Sequence, residues 1–484
     1  IAATLVYSSG SIVGVARLTA YTSPTSVSAV VLAAFGATTA SSDWWEGSWS
    51  DRRGWPSAVG LFESRVWWAG KDNIYASISD QYEDFDDEFE GDAGPINRSI
   101  GEGPVETITW ILPLSRLLIG TLSNSAPIAA IKVEGNNVLS GRSSSFDEPL
   151  TPTNFNLKTA SATGIFVQRS GQKLLSLNFD INESDYKHEN LSVAVPDLNE
   201  VGIAGIAIQY QPDIRVHCWR NDGTVSLMTM DKAENLICWT EIETDGEVED
   251  VSVLPGDEED QVYYIVNRTI NGSTVRFHEK WALESECRGR PQGRLADAHY
   301  MYSGAATTTI TGLSHLEGEE VVVWGWNTAT PFTVTMPDGS VVTVGRDFGT
   351  FTVSSGQISG LSAAVTNACI GLGYEAPYKS AKQAFAAAMG TPLNQAKRID
   401  HLGLILMDTH AKGLTYGPDF NSLDEMPDVE DHAEIDENAI HETYDKDMIE
   451  FDGDWDTDSR FCLQAQAPRP ATVLCVTVSM TTSG

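Results

Sequence analysis

Short apolar runs separated by Gly, Asn, Asp and Ser recur along almost the whole chain, and runs of this length between turn residues predict strands rather than helices. Thr4 to Tyr7 and Val27 to Leu32 are β-branched runs broken by Ser, Gly and Thr. They read as the end of a small β domain that begins upstream, over 1–50. From Asp51 to Trp281 the pattern becomes cyclic: one strand-like run, a second, a turn, and then a restart. Ala58–Phe62 leads into Arg65–Ala69 and Ile74–Ile78, and Ile108–Leu112 leads into Arg116–Ile119. Gly164–Gln168 is followed by Lys173–Phe179, and Ile206–Tyr210 by Arg215–Trp219 and Thr224–Met230. Val248–Leu254 precedes Val262–Asn267 and Thr274–Glu279. Asp222-Gly223 and Asn271-Gly272 supply the positive φ angles that tight hairpins need.

Units of this kind in series predict the blades of a β-propeller over 51–285, with a long β-sandwich as the competing architecture. A polar, basic stretch near Glu284–Gly293 marks a boundary. Beyond it, Thr307–Ile310, Glu320–Trp324, Phe332–Met336, Val341–Val344 and Thr350–Val353 predict a compact inserted β-barrel or sandwich over 286–375. Strands return at His401–Asp408, Phe461–Gln466 and Thr472–Met480 in a C-terminal segment, 376–484, that closes the propeller or the N-terminal domain. The one helix-like stretch is Ser380–Met389, where Ala and Lys replace β-branched residues. The expected fold is therefore mainly β: a propeller-like domain with additional small barrel or sandwich domains and little helix.

Composition adds to this picture in three ways. A chain of 484 residues exceeds a single hydrophobic core, which favours roughly two to four domains. Its 67 acidic against 31 basic side chains give a formal charge of −36. Such a surface does not clamp a nucleic-acid backbone, which needs clustered Lys and Arg, although it can let DNA pass without sticking. The six cysteines have no C-x-x-C spacing, so neither a zinc site nor a redox motif is indicated, and reduced thiols fit best. No apolar run reaches transmembrane length.

Residues 424–458 hold 16 Asp and Glu against the single Lys446, a density that predicts a solvated loop or mobile tip. Asp424, Glu425, Asp428, Glu430 and Asp431 are the candidates from this stretch for residues facing a channel or gate. Asp452, Asp454, Asp456 and Asp458 alternate as cation ligands do. An EF-hand-type loop, however, needs Gly at its sixth and Glu at its twelfth position, where this chain has Thr457 and Leu463. A second acidic run, Glu83 to Asp92, contains carboxylates of the kind a glycosidase pairs across a bond, but its interleaved Phe85 and Phe89 favour a surface loop pinned by aromatics. Trp44, Trp45, Trp49, Trp55, Trp67 and Trp68 can stack on sugar rings or pack in cores and interfaces; packing is expected for most. P-loop, zinc-helix and nucleophile-elbow motifs are absent. No catalytic residue, cofactor or firm metal site is expected, and the chain is expected not to be an enzyme.

Gly54-Trp55-Pro56-Ser57-Ala58-Val59 followed by Leu61–Gly70 is similar to a segment of phage tail structural proteins. Arg116–Thr121, Pro149–Thr153, Phe166–Gly171, Lys397–Leu404, His410–Leu414, Tyr416–Phe420 and Gly453-Asp454-Trp455 continue the likeness in order. Together they cover roughly residues 43 to 480, and the chain resembles the tail nozzle (tail tubular protein B-like) family of short-tailed bacteriophages. The resemblance implies a virion protein made in the host cytoplasm, with six copies around a DNA exit channel and with adaptor or hub proteins and fibres or spikes as partners. It also implies a propeller with extra β domains, DNA passing without sequence-specific binding, and no membrane insertion. Acidic residues facing the lumen would repel phosphates while loops constrict the exit. A tail-associated receptor- or glycan-binding protein, or a propeller glycan depolymerase, is the alternative.

Overall fold

The computed structural model describes residues 4–9, 12–86, 91–99, 107–114, 116–121, 128–134, 137–142, 164–168, 170–180, 185–231, 233–287, 290–384, 392–430 and 433–482, together with 89 and 182. The chain divides into two compact units, one formed mainly by residues 1–241 and the other mainly by 242–484.

The first unit opens on a four-stranded antiparallel sheet of Thr4–Ser9, Ile12–Ser23, Ser26–Ala33 and Trp44–Glu46. Up-and-down sheets then follow in chain order. The first contains Ala58–Phe62, Arg65–Gly70, Asn73–Ala76 and Ile96–Ser99. The next contains Ile108–Pro113, Leu117–Thr121, Ile128–Glu134 and Asn137–Arg142. Gly164–Val167, Leu174–Asp180 and Asp185–Asn190 form a three-stranded sheet. Ile203–Gln209, Ile214–Arg220, Val225–Asp231 and Leu236–Ile242 form a four-stranded one.

The period-2 alternation of a strand explains how these sheets stack. In the sheet beginning at Ile108, one set of residues (Ile111, Leu117, Ile119) packs with Trp67 and Ile74 of the sheet before it. Trp110, Leu112 and Leu118 pack instead with Phe166, Leu175, Leu177 and Tyr186 of the sheet after it. A two-layer sandwich buries only one face of each sheet; a sheet feeding a core on each side is a blade between blades. The fold is mainly β and propeller-like, as expected. Gly120 is required by this stacking, because a Cβ there would lie 2.0 Å from the Trp110 ring.

In the second unit, Glu247–Leu254, Gln261–Ile270 and Ser273–Lys280 form another meander, turning at Asn271 (φ 47°) and Gly272 (φ 74°). Arg268 is 1% exposed and forks onto Glu279 (Nε and Nη2, both 2.7 Å), with a further bond to Asp297 at 2.9 Å. Burial alone would lower its pKa, but the hydrogen bonds it donates to Glu279 and Asp297 outweigh burial and the pKa rises. This satisfied ion cluster ties the meander to the strand Asp297–Thr307 that follows.

Asp297–Thr307, Val365–Leu372, Glu320–Trp326 and Arg346–Thr352 make a four-stranded sheet. Its core includes Val321, Val323, Val365 and Ile370. The C-terminal segment is a two-sheet sandwich. Lys397–His410 lies between Ile440–Glu450 and Thr472–Thr482, and its Leu402, Leu404 and Leu406 pack against Leu414, Tyr416 and Leu463 of the facing sheet.

Two expectations from the sequence change here. The acidic stretch is not a free loop. It contains the strand Ser422–Glu425, a small hairpin of Val429–Glu430 with Ala433–Glu434, and the strand Ile440–Glu450. The reason is its sparse apolar set: Met426, Ile435, Ala439, Ile440, Tyr444, Ile449 and Phe451 are all buried, and many of the acids between them point to solvent. The expected helix lies largely outside the described residues; 381–384 is irregular. The one α-helix among the described residues is the short Glu284–Cys287, and no helix is long and apolar enough to cross a membrane.

Candidate functional site

Asp424 and Glu425 sit exposed on the strand Ser422–Glu425, which pairs with Leu414–Asp419 through Tyr416↔Asp424 and Thr415↔Glu425. Asp428 is exposed, and its carbonyl accepts the Ile435 N–H at 2.9 Å, closing the hairpin. Glu430 belongs to that hairpin by its backbone, and Asp431 lies outside the described residues. The described members therefore follow one another along neighbouring backbone elements, the strand Ser422–Glu425 and the hairpin after it.

The four alternating aspartates are not drawn onto a common point. Asp458 accepts from Arg460 Nε at 3.0 Å, and this bond holds its carboxyl below the usual range. The Asp456 carboxylate accepts its own loop's Asp458 N–H at 3.2 Å. The loop is anchored from within by a cation of the chain itself: Lys397, fully buried, donates from Nζ to the carbonyls of Thr457 (3.0 Å), Gln395 (3.3 Å) and Leu393 (3.4 Å). Among the described residues no three His, Cys, Asp or Glu side chains converge as metal ligands would.

The other acidic run behaves differently from its expectation. Phe85 and Phe89 are exposed and do not pin it. Buried Arg65 does, donating to the carbonyls of Ser77 (2.6 Å), Gly94 (2.5 Å) and Asp92 (2.9 Å). Asp87, Glu88 and Glu90 lie outside the described residues.

The tryptophans divide. Trp67 is fully buried in the first blade, whereas Trp44, Trp45 and Trp55 are about half exposed. Trp49 stands edge-on to both Trp68 (5.7 Å, 65°) and Tyr75 (5.3 Å, 83°). With Trp55 and Tyr75 it walls a hollow of about 250 Å³ whose polar rim is Arg53, Lys71 and Asn73. The wall is held in place locally. The Ser50–Gly54 bridge closes the turn, Trp55 Nε1 donates to Asp51 at 3.0 Å, and Arg53 donates to Glu46 at 3.0 Å. Gly54 has φ 93°, and a Cβ there would meet the Lys71 chain at 3.2 Å. Aromatic walls with a few placed polar groups suit a small polyhydroxylated ligand. The sequence signal was present in the Trp density; which of the six stay exposed depends on strand register and was not legible.

The cysteines are free. Burial pushes the Cys287 thiol up to about 11 and that of Cys369 up to about 12, so neither offers a thiolate nucleophile at neutral pH.

No protein-family model matches the chain, and no curated protein matches it. Among solved structures it is similar to the Bacteroides ovatus xyloglucan PUL GH43B, with a TM-score of 0.24 and 8% identity over 76% of this chain and 88% of that one. It is also similar to the Bombyx mori GH32 beta-fructofuranosidase BmSUC1, with a TM-score of 0.21 and 8% identity over 88% and 90%. Both neighbours are glycoside hydrolases with propeller folds, so the expectation that the chain is not an enzyme is withdrawn. Likeness at these TM-scores assigns no activity, and neither neighbour is a phage tail protein.

Proposed function

We propose that the chain is a self-assembling subunit of a ring around a channel, of the kind found in short-tailed phage nozzles. One observation carries the self-assembly. Every residue of the strand Ser26–Ala33 is exposed, including Val27, Val30, Val31 and Leu32; Ile12, Val13 and Tyr21 of the adjacent strand and Trp44 and Trp45 at the opposite edge of the same sheet are exposed too. Apolar residues exposed on both faces of one sheet are candidates for contact with another protein surface. Arg17 is the only charged side chain in residues 1–42. In a chain of charge −36 this nearly uncharged sheet is where two copies would meet with little repulsion. The ordered tail-protein motifs support the nozzle assignment, with adaptor proteins and fibres as neighbours. In this reading the acidic stretch at Asp424–Asp428 repels the phosphates of DNA passing through the lumen. Imaging of intact virions by electron cryomicroscopy tests it: six copies around the distal channel are expected, and three copies on a peripheral spike would overturn it.

A second reading is glycan binding or cleavage at the tail, and the aromatic hollow at Trp49, Trp55 and Tyr75 favours it. Trp55→Ala would then abolish oligosaccharide binding while leaving the fold intact. Equal binding by the variant removes this reading.

A further inference from the structure

A second hollow, of about 390 Å³, opens on the inserted domain between Asn327 and Arg346. Its walls are tied together by hydrogen bonds. Asn327 is buried, donates to the Ala364 carbonyl at 2.8 Å and accepts from the Ala329 and Thr330 N–H groups at 2.9 and 2.8 Å, pinning both loops that form it. The Arg346 guanidinium lies 4.6 Å from the centre of the Phe332 ring, and Phe332 in turn packs against Phe348 at 6.1 Å.

Arg346 differs in its pairing from several other buried or partly buried arginines of the chain. Arg215, Arg220, Arg268 and Arg469 each meet a carboxylate. The Arg346 Nε is buried with no hydrogen-bond partner. Its neighbour Asp347 is engaged elsewhere, by Arg469 at 2.8 Å. None of the residues lining the hollow is acidic, in a chain with 67 Asp and Glu. A guanidinium held over an aromatic ring and partly removed from water is short of anionic partners, and its fork matches a carboxylate. The rim adds the hydroxyl-bearing Thr330 and Thr333, and Pro331, Ala363 and Ala364 supply apolar surface.

We propose that this hollow binds the carboxylate of a small sugar acid, with Arg346 as the anion-binding residue and the threonines contacting the ligand's hydroxyls. This goes beyond the ring assignment and does not depend on it. The test is calorimetric titration of the 484-residue chain with D-glucuronate, alongside glucose and inorganic phosphate. Glucuronate is expected to bind, glucose to bind at least about tenfold more weakly, and Arg346→Gln to lose about tenfold or more of the glucuronate affinity. Arg346→Lys keeps the charge but not the fork and is expected to recover only part. Thr330→Val leaves the guanidinium in place and is expected to weaken binding less; it serves as the informative variant if Arg346→Gln unfolds. Glucose binding as well as glucuronate, phosphate binding more tightly than glucuronate, or unchanged binding in both Arg346→Gln and Thr330→Val would each overturn the proposal.

Discussion

The opening sheet and the acidic C-terminal stretch invert what their compositions suggest. Residues 12–33 are apolar and nearly uncharged, yet the strand Ser26–Ala33 is exposed at every position. Residues 424–458 carry 16 acids, yet Tyr444 and Ile449 on the strand Ile440–Glu450 are buried in the sandwich core. Burial follows which side of a strand finds a facing layer, and a few apolar residues in the right register are enough to fold an acidic segment. Apolar residues without a facing layer remain as surface, and such surface needs a partner.

The largest effect is expected where acidic sequence is core. Tyr444→Ala should cost about 3–5 kcal/mol in denaturant unfolding, as for other buried aromatics. A cost near zero would mean that the acidic stretch does not belong to the folded core, and the contrast would collapse. A second effect arises in the same sandwich from His410. Burial pushes its imidazole down to about 4, and Arg469, His441 and Lys412 press the same way against the opposing pull of Asp347. Its Nε2 is buried without a partner, while Nδ1 accepts the Lys412 N–H at 3.1 Å. The unfolded chain therefore takes up a proton near the ordinary histidine value of about 6.5 that the folded chain refuses until about 4. Stability from this site is complete above the unfolded value and drains away as pH falls through the window between the two, by up to about 3 kcal/mol. Urea midpoints measured between pH 7 and pH 4 should show this slope, and His410→Gln should flatten it.

Changes on the opening sheet should do the reverse. Val30→Glu with Leu32→Glu is expected to shift the unfolding midpoint of the isolated chain by no more than about 0.5 kcal/mol, while dissociating the assembly. A loss of several kcal/mol would show that the strand is packed within its own chain. The smallest effect is expected at Asp424→Asn and Glu425→Gln, which are exposed and unpaired with any apolar layer; thermal unfolding should hold within about 0.5 kcal/mol.

Much of the architecture was legible because inner blade strands combine apolar alternation with turn chemistry. Ala58–Phe62 and Ser273–Lys280, with Asn271-Gly272 before the latter, stand almost where the pattern places them. Two of the outermost blade strands were missed. Ile96–Ser99 and Asp185–Asn190 are largely exposed edges with polar or mixed sequences, and an edge strand needs no buried alternation. Of the candidate sites, the acids and the Trp cluster could be listed from sequence. The Lys397 anchor, the Arg268 cluster and the bare Arg346 could not, since each depends on residues brought together from distant parts of the chain.

The central claim is that the neutral opening sheet joins copies of this chain. Native mass spectrometry of the purified 484-residue protein, beside the Val30→Glu, Leu32→Glu double variant, measures it directly. A closed oligomer, a hexamer in the nozzle reading, is expected for the wild type, falling to monomers in the double variant with its fold retained. A wild-type chain that remains monomeric at all concentrations, or an oligomer indifferent to the two substitutions, would contradict it.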